Sequence, residues 1–222
     1  MSREYTRRVS ILGNIPVLGP VTLFDEFDDP IKWTKGGPGG DFIFEHDPNY
    51  SFNGRQSLHM KTRTTDSTAN DIITATRYVH IPPTSKILTA FLFSTPDRSK
   101  IDFLSLELTY DNGITAYISR LVFLPLTPTW QYNNSAGVNT NIPESTRPLK
   151  DSTWHRIAFA TDFLNNKHIH ALINRDLFDL SSLDLSTGAG LNEECLYISL
   201  NLKNIGANPS EIYIDTILST EF

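Results

Sequence analysis

Cysteine is nearly missing from this chain: Cys195 is the only one in 222 residues, which excludes an intrachain disulfide framework. Its place beside the apolar run Leu196 to Leu202 reads as a strand end rather than a nucleophile. Excess positive charge is missing too. A net charge of -6 argues against a broad nucleic-acid or anionic-membrane surface, since either needs a basic face that releases counterions. No apolar run approaches the roughly 20 residues of a membrane-spanning helix. The opening MSREYTRRVSILGNIPVLGPV lacks the apolar core and small-residue cleavage site of a secretory leader, so the expectation is cytoplasmic synthesis without a signal peptide. Internal repeats, a G-x-S-x-G elbow, an H-E-x-x-H pair, a Cys-x-x-Cys pair and a dinucleotide fingerprint are also lacking. The run Gly36 to Gly40 has no lysine-serine or lysine-threonine ending, so it is not a phosphate loop.

What the chain does have is alternation. Leu104 to Tyr110, Ile114 to Leu124, Leu196 to Leu202 and Ile212 to Leu218 alternate apolar and polar residues, as half-buried strands must, because successive side chains point to opposite faces. Hydrophobic residues make up 39% and aromatic residues 11%, with 13 Phe, a composition that suits sheet faces. These patterns predict an all-β protein: an antiparallel β-sandwich whose two sheets close on one core. Asp111-Asn112-Gly113 between two alternating runs is a strong hairpin signal.

Residues 1–20 read as an extended N-terminal arm ahead of one sandwich domain at 21–222. The arm holds Arg3, Arg7 and Arg8 against a single acid, Glu4, then the punctuated apolar stretch from Val9. It reads either as an edge strand on its own domain or as an arm that docks on a neighbouring subunit through Arg3, Arg7, Arg8, Ile11 and Leu12. Residues 125–152, rich in Pro, Asn, Ser and Thr, read as a long irregular loop carrying Trp130 and Tyr132.

Candidate chemistry is thin. His168 and His170 lie two apart on one strand, with His155 nearby in sequence, so a metal site is conceivable. Ile169, Ala171 and Ile173 fill the opposite alternation, however, which puts the two histidines on a solvated face. The acids Asp25, Glu26, Asp28 and Asp29 offer oxygen ligands but no EF-hand spacing. Glu107 is the one acid placed on an alternating strand as glycosidases place theirs.

Several segments resemble jelly-roll carbohydrate-binding modules and concanavalin-like sandwiches. They are Phe24-Asp25-Glu26-Phe27 with Trp33, the run Tyr50 to Met60, the pair Trp154 to Ile157 and Ile173 to Asp176, and the ending Ile212 to Leu218. The resemblance implies a jelly-roll fold. It further implies a structural calcium held by the early acid and the last-strand aspartate, here Glu26 and Asp215. The same sandwich class serves as decoration or minor capsid protein in viral and phage particles. Three functional readings follow. The first is a non-catalytic structural protein of a larger assembly, plausibly virion-associated, gripping protein neighbours through its arm. The second is a glycan-binding module with Trp130, Tyr132 or Tyr117 as stacking platforms. The third is a hydrolase on the same scaffold.

Overall fold

A computed structural model describes residues 21–37, 41–52, 55–63, 71–79, 86–191 and 193–222. In chain order its strands are β1 (Val21–Asp25), β2 (Thr34–Gly36), β3 (Ile43–Asp47), β4 (Ser57–Lys61), β5 (Ile72–Val79) and β6 (Lys86–Ser94). They continue with β7 (Ile101–Asn112), β8 (Thr115–Leu124), β9 (Thr129–Asn133), β10 (Asn139–Asn141) and β11 (His155–Asp162). The last are β12 (Lys167–Ile173), β13 (Asp176–Asp179), β14 (Ser186–Ala189), β15 (Glu194–Asn204) and β16 (Glu211–Glu221). The described strands form two antiparallel sheets. The first runs β13-β12-β11-β6-β16-β4-β3, with β1 also on β16, and the second runs β10-β9-β8-β7-β15-β5-β2, with β14 also on β8.

The expected sandwich is what the alternation builds. Leu104, Leu106, Leu108 and Tyr110 of β7 and Leu196, Ile198, Leu200 and Leu202 of β15 point inward. They meet Ile87, Phe91 and Phe93 of β6 and Ile212, Ile214 and Ile217 of β16 from the other sheet. Between them the two sheets bury one continuous core, as two amphipathic layers must.

Four details depart from the sequence reading, each for a physical reason. Strand β16 is not half-exposed: Tyr213, Asp215, Leu218 and Thr220 on its outer side are buried like its inner side. On that side Leu88, Ala90, Leu92, Ala158, Ala160 and Leu218 form a second apolar cluster, with Val21, Phe24, Trp154, Ile169 and Leu172 packed against it. Second, the hairpin between β7 and β8 pairs Asp111 with Ala116, so its loop is longer than a two-residue turn. Only Gly113 there adopts a left-handed backbone, at φ 87°, while the Asn112 Oδ1 accepts from the backbone N–H groups of Ile114 and Thr115 at 3.0 and 2.8 Å.

Third, residues 125–152 are not an irregular loop. They contain β9 and β10, with β9 added to the edge of β8, and Ser145 ties the far end back by exchanging hydrogen bonds with the backbone of Trp130 at 3.2 and 3.1 Å. Fourth, the histidine alternation fails. The pairing of β11 with β12 matches Ala160 to His170 but Thr161 to His168, so Ile169 is an extra residue that flips the phase of the strand. His168 therefore turns inward and is fully buried, while Ile169 turns to the outer cluster.

Candidate functional site

Strands β5, β15, β7 and β8 lie side by side in the second sheet, and their register converts the outward half of each alternation into rows across the sheet. Thr76, Ser199, Glu107 and Arg120 form one row. The next holds Thr74, Asn201, Ser105 and Val122, extended by Gln131 of β9. Outside these rows stand Tyr78 beside Tyr197 on one flank and Ile72, Lys203 and Phe103 on the other. Successive rows lie two residues apart along the strands, about 6.7 Å. The result is a polar trough of about 440 Å³ across the solvent face of the sheet, with Phe103, Ile72 and Val122 as its apolar contributions.

The trough floor is wired before any ligand arrives. Thr74 Oγ1 donates to Asn201 Oδ1 at 2.8 Å, and Asn201 Nδ2 donates to Ser105 Oγ at 3.2 Å. The hydroxyls of Thr76 and Ser199 lie 3.1 Å apart. Arg120 Nε donates to Glu107 Oε2 at 2.6 Å, and a second guanidinium nitrogen reaches the same carboxylate. Thr109 Oγ1 donates to Glu107 Oε1 at 3.3 Å. The charges cancel locally: Glu107 meets Arg120, and Asp102 meets Lys203 at 2.7 Å. At one flank Tyr78, 56% exposed, makes an edge contact with Tyr197 at 4.8 Å. The Tyr197 hydroxyl is held well above its ordinary range, first by its hydrogen bond with Cys195 and then by burial.

Such a surface suits a ligand rich in hydroxyls. Side-chain amides, hydroxyls and a fixed carboxylate–guanidinium pair both donate and accept in set directions, and flanking rings offer apolar faces. Among the described residues lining the trough, Glu107 is the only carboxylate, whereas glycoside hydrolysis calls for two facing each other at about 5 to 10 Å.

The sequence-chosen aromatic platforms lie elsewhere. Trp130 and Tyr132 are 2% and 8% exposed, inside the core, with Trp130 stacked on Phe123 at 4.8 Å. Both belong to β9 with its inward phase, so neither presents a face to a sugar. Tyr117 is half-buried against the core and lies over Tyr110 at 6.3 Å. Of the two residues named for calcium, Glu26 lines a recess with Asp25, Asp28 and Asp29. Asp215 is fully buried, its Oδ2 accepting from Phe52 N and its Oδ1 from Thr216 Oγ1, at 2.7 and 2.8 Å. Among the described residues no three His, Cys, Asp or Glu side chains are grouped to hold a metal, and a calcium takes six to eight oxygens. His155 and His168 are likewise buried in hydrogen bonds with protein partners. Arg3, Arg7, Arg8, Ile11 and Leu12 lie outside the described residues.

Sequence reasoning passed over Tyr78, Tyr197, Phe103, Ser199 and Asn201. Their signal was in plain view as the outward half of the best alternating strands; what it did not show was which strands are neighbours.

No protein-family model matches the sequence, and no curated protein sequence matches it. Solved structures do match. The cellulose-induced protein Cip1 superposes with a TM-score of 0.55 at 12% identity, covering 89% of this chain and 96% of that one. Lectin I-B4 from Griffonia simplicifolia, in its metal-free form, gives 0.55 at 11% identity over 90% and 99% of the two chains. A β-glucanase from Bacillus licheniformis gives 0.50 at 13% identity over 92% and 100%. Identities this low speak to the fold alone. The chain is an all-β jelly-roll sandwich with the fold seen in that lectin and that β-glucanase.

Proposed function

We propose that this protein binds a neutral glycan without cleaving it, in the trough on the outer face of the second sheet. The observation that carries the reading is the prewired polar floor, from Thr74 through Asn201 to Ser105 and from Arg120 to Glu107, flanked by aromatic and apolar side chains. Hydrogen-bond groups already fixed by one another lose little side-chain freedom when a sugar arrives, so more of each new contact appears as affinity. Balanced charge in the trough favours a neutral ligand over an acidic one. The similarity of the fold to a lectin is in keeping with this use, and the single lining carboxylate, already paired with an arginine, weighs against hydrolysis. The reading takes precedence over an assembly role, which rests on residues 1–20.

The test is a screen of neutral oligosaccharides, followed by titration calorimetry of any binder. Asn201→Ala and Arg120→Ala should each weaken binding by about tenfold, the cost of stranding a hydrogen-bonding partner, while circular dichroism shows the fold retained. Absence of any binder at millimolar ligand, or a binder indifferent to both substitutions, refutes the reading. Release of reducing sugar that disappears in Glu107→Gln would replace it with hydrolysis.

A further inference from the structure

The first sheet carries its own recess, on the opposite side of the molecule's core from the trough. It measures about 260 Å³ and is lined by Phe52, Leu92, Trp154, Arg156, Asn174 and Arg175. Its chemistry differs from that of the trough, since the described lining residues bring two guanidinium groups, two aromatic rings and no carboxylate.

The parts are held in place. Trp154 packs against Tyr50 at 5.5 Å and against the edge of Phe52 at 6.0 Å, and Tyr50 is itself backed by Tyr213 at 4.3 Å. Asn174 takes a left-handed backbone, φ 56°, in the turn between β12 and β13. Its N–H donates to the Arg156 carbonyl at 2.7 Å, its Oδ1 accepts from Arg156 N at 3.1 Å, and its own carbonyl accepts from Arg156 Nη2 at 2.7 Å. Arg156 is thereby fixed over the turn. Arg175, the next residue of that turn, is exposed and forms no ion pair among the described residues. Of the acids nearby, Asp176 accepts from Arg147 Nε at 3.0 Å, and Asp215, buried in the same cross-strand row as Leu92 and Arg156, accepts from the backbone N–H of Phe52 at 2.7 Å.

We infer that this recess is a second saccharide site, selective for a single carboxylate-bearing sugar ring such as a uronic acid residue. The apolar face of the ring lies on Trp154, and its carboxylate meets the guanidinium of Arg175, whose planar fork matches two carboxylate oxygens. The volume falls below the 300 to 1,000 Å³ of typical small-ligand pockets, which suits a single ring. This site does not depend on the reading of the trough.

The experiment follows the Trp154 indole N–H by two-dimensional NMR during titration with the methyl glycosides of glucuronic and galacturonic acid, methyl glucoside and sodium acetate. Absence of the peak in Trp154→Phe assigns it. At least one uronoside should shift the peak saturably in the millimolar range, and neither methyl glucoside nor acetate should do so at equal concentration. Arg175→Gln, a change at an exposed position, should weaken the uronoside by about tenfold, the size of one charge-assisted hydrogen bond. Raising the salt from about 50 to about 500 mM should weaken it further. Asn201→Ala should leave it unchanged, which separates this site from the trough. The inference is overturned if no uronoside shifts the peak, if glucoside or acetate shifts it equally, if Arg175→Gln has no effect, or if Asn201→Ala abolishes the shift.

Discussion

Lowering the pH should destabilise this protein through one buried histidine, and the size of the loss can be worked from its surroundings. His168 sits between the sheets, against Tyr132 at 5.5 Å and Phe159 at 5.6 Å. Its Nε2 lies 3.0 Å from the Asn133 carbonyl and its Nδ1 3.0 Å from Ser119 Oγ, which in turn is 2.8 Å from Thr161 Oγ1. A carbonyl can only accept, so the neutral ring carries its proton on Nε2 and accepts from Ser119 at Nδ1. Protonating Nδ1 costs no hydrogen bond, because the Ser119 hydroxyl can rotate toward Thr161; the penalty is the desolvation of a positive charge. That burial pulls the imidazole down from 6.5 to about 4. Above pH 6.5 both folded and unfolded chains hold the ring neutral and nothing is lost. Between 6.5 and 4 the unfolded chain takes up a proton that the folded chain refuses, so stability falls as pH falls, by about 2 kcal/mol at pH 5 and about 3 kcal/mol once below the folded value. Urea unfolding of wild type and His168→Gln at pH 7 and pH 5 measures this directly. His155 and His170, also lowered by burial, remain in both proteins and cancel in the difference. The variant loses its packing at both pH values, but wild type alone should lose the extra increment on acidification. An equal loss in both proteins would refute the reasoning.

Two other outcomes follow from the same kind of accounting. A Cβ on Gly190 would stand 2.6 Å from the Ile114 carbonyl carbon and 2.7 Å from Asp111 Oδ1, and Asp111 is buried while accepting from Gly113 N at 2.7 Å; Gly190→Ala should therefore cost about 2 kcal/mol in denaturant unfolding, and an unchanged midpoint would show that the β14 end of the hairpin yields freely. Glu211 is held near 2, first by its hydrogen bond with His59 and then, against the effect of burial, by Tyr213 and Lys61; its contribution is whole above its ordinary 4.5 and is lost as pH falls from there toward 2. Between pH 4.5 and pH 2 wild type should lose this contribution while Glu211→Gln, which lacks it, should not, so the two should converge in stability near pH 2; a gap between them that stays constant from pH 6 to pH 2 would refute the assignment.

The sandwich was legible because β7 and β15 keep strict phase over Leu104 to Tyr110 and Leu196 to Leu202, with Leu104, Leu106 and Leu108 inward against Ser105 and Glu107 outward. The same rule misled at two places. In β16 polar residues alternate with apolar ones and still end up buried, because Ser219 meets Thr89 at 3.0 Å and Asp215 takes the Phe52 N–H; polarity marks exposure only where no partner waits across the strand. In β12 the extra residue at Ile169 reverses the phase, and nothing in the hydropathy of Lys-His-Ile-His-Ala marks a bulge. Trp130 and Tyr132 sit in a polar, proline-bearing stretch that reads as loop, yet β9 gains enough from pairing with β8 to bring both rings into the core.

The candidate site was harder to see for a topological reason. Thr74 and Asn201 touch across 127 positions and Asn201 and Ser105 across 96, so the trough floor exists only once β5, β15 and β7 are placed in order and register. Local patterns report which way each side chain points, and strand order reports which side chains share a row. The contrast between the two outer faces follows from this. On the second sheet the outward residues of neighbouring strands hydrogen-bond to one another and stay accessible to solvent, so ordered polar groups are offered to a ligand. On the first sheet the outward Leu88, Ala90, Leu92, Ala158 and Ala160 are buried, and at the margin, where Trp154 meets the turn bearing Arg175, ring and charge reach the surface together. A hydroxyl-rich neutral ligand is accordingly proposed for the one face and a single acidic ring for the other.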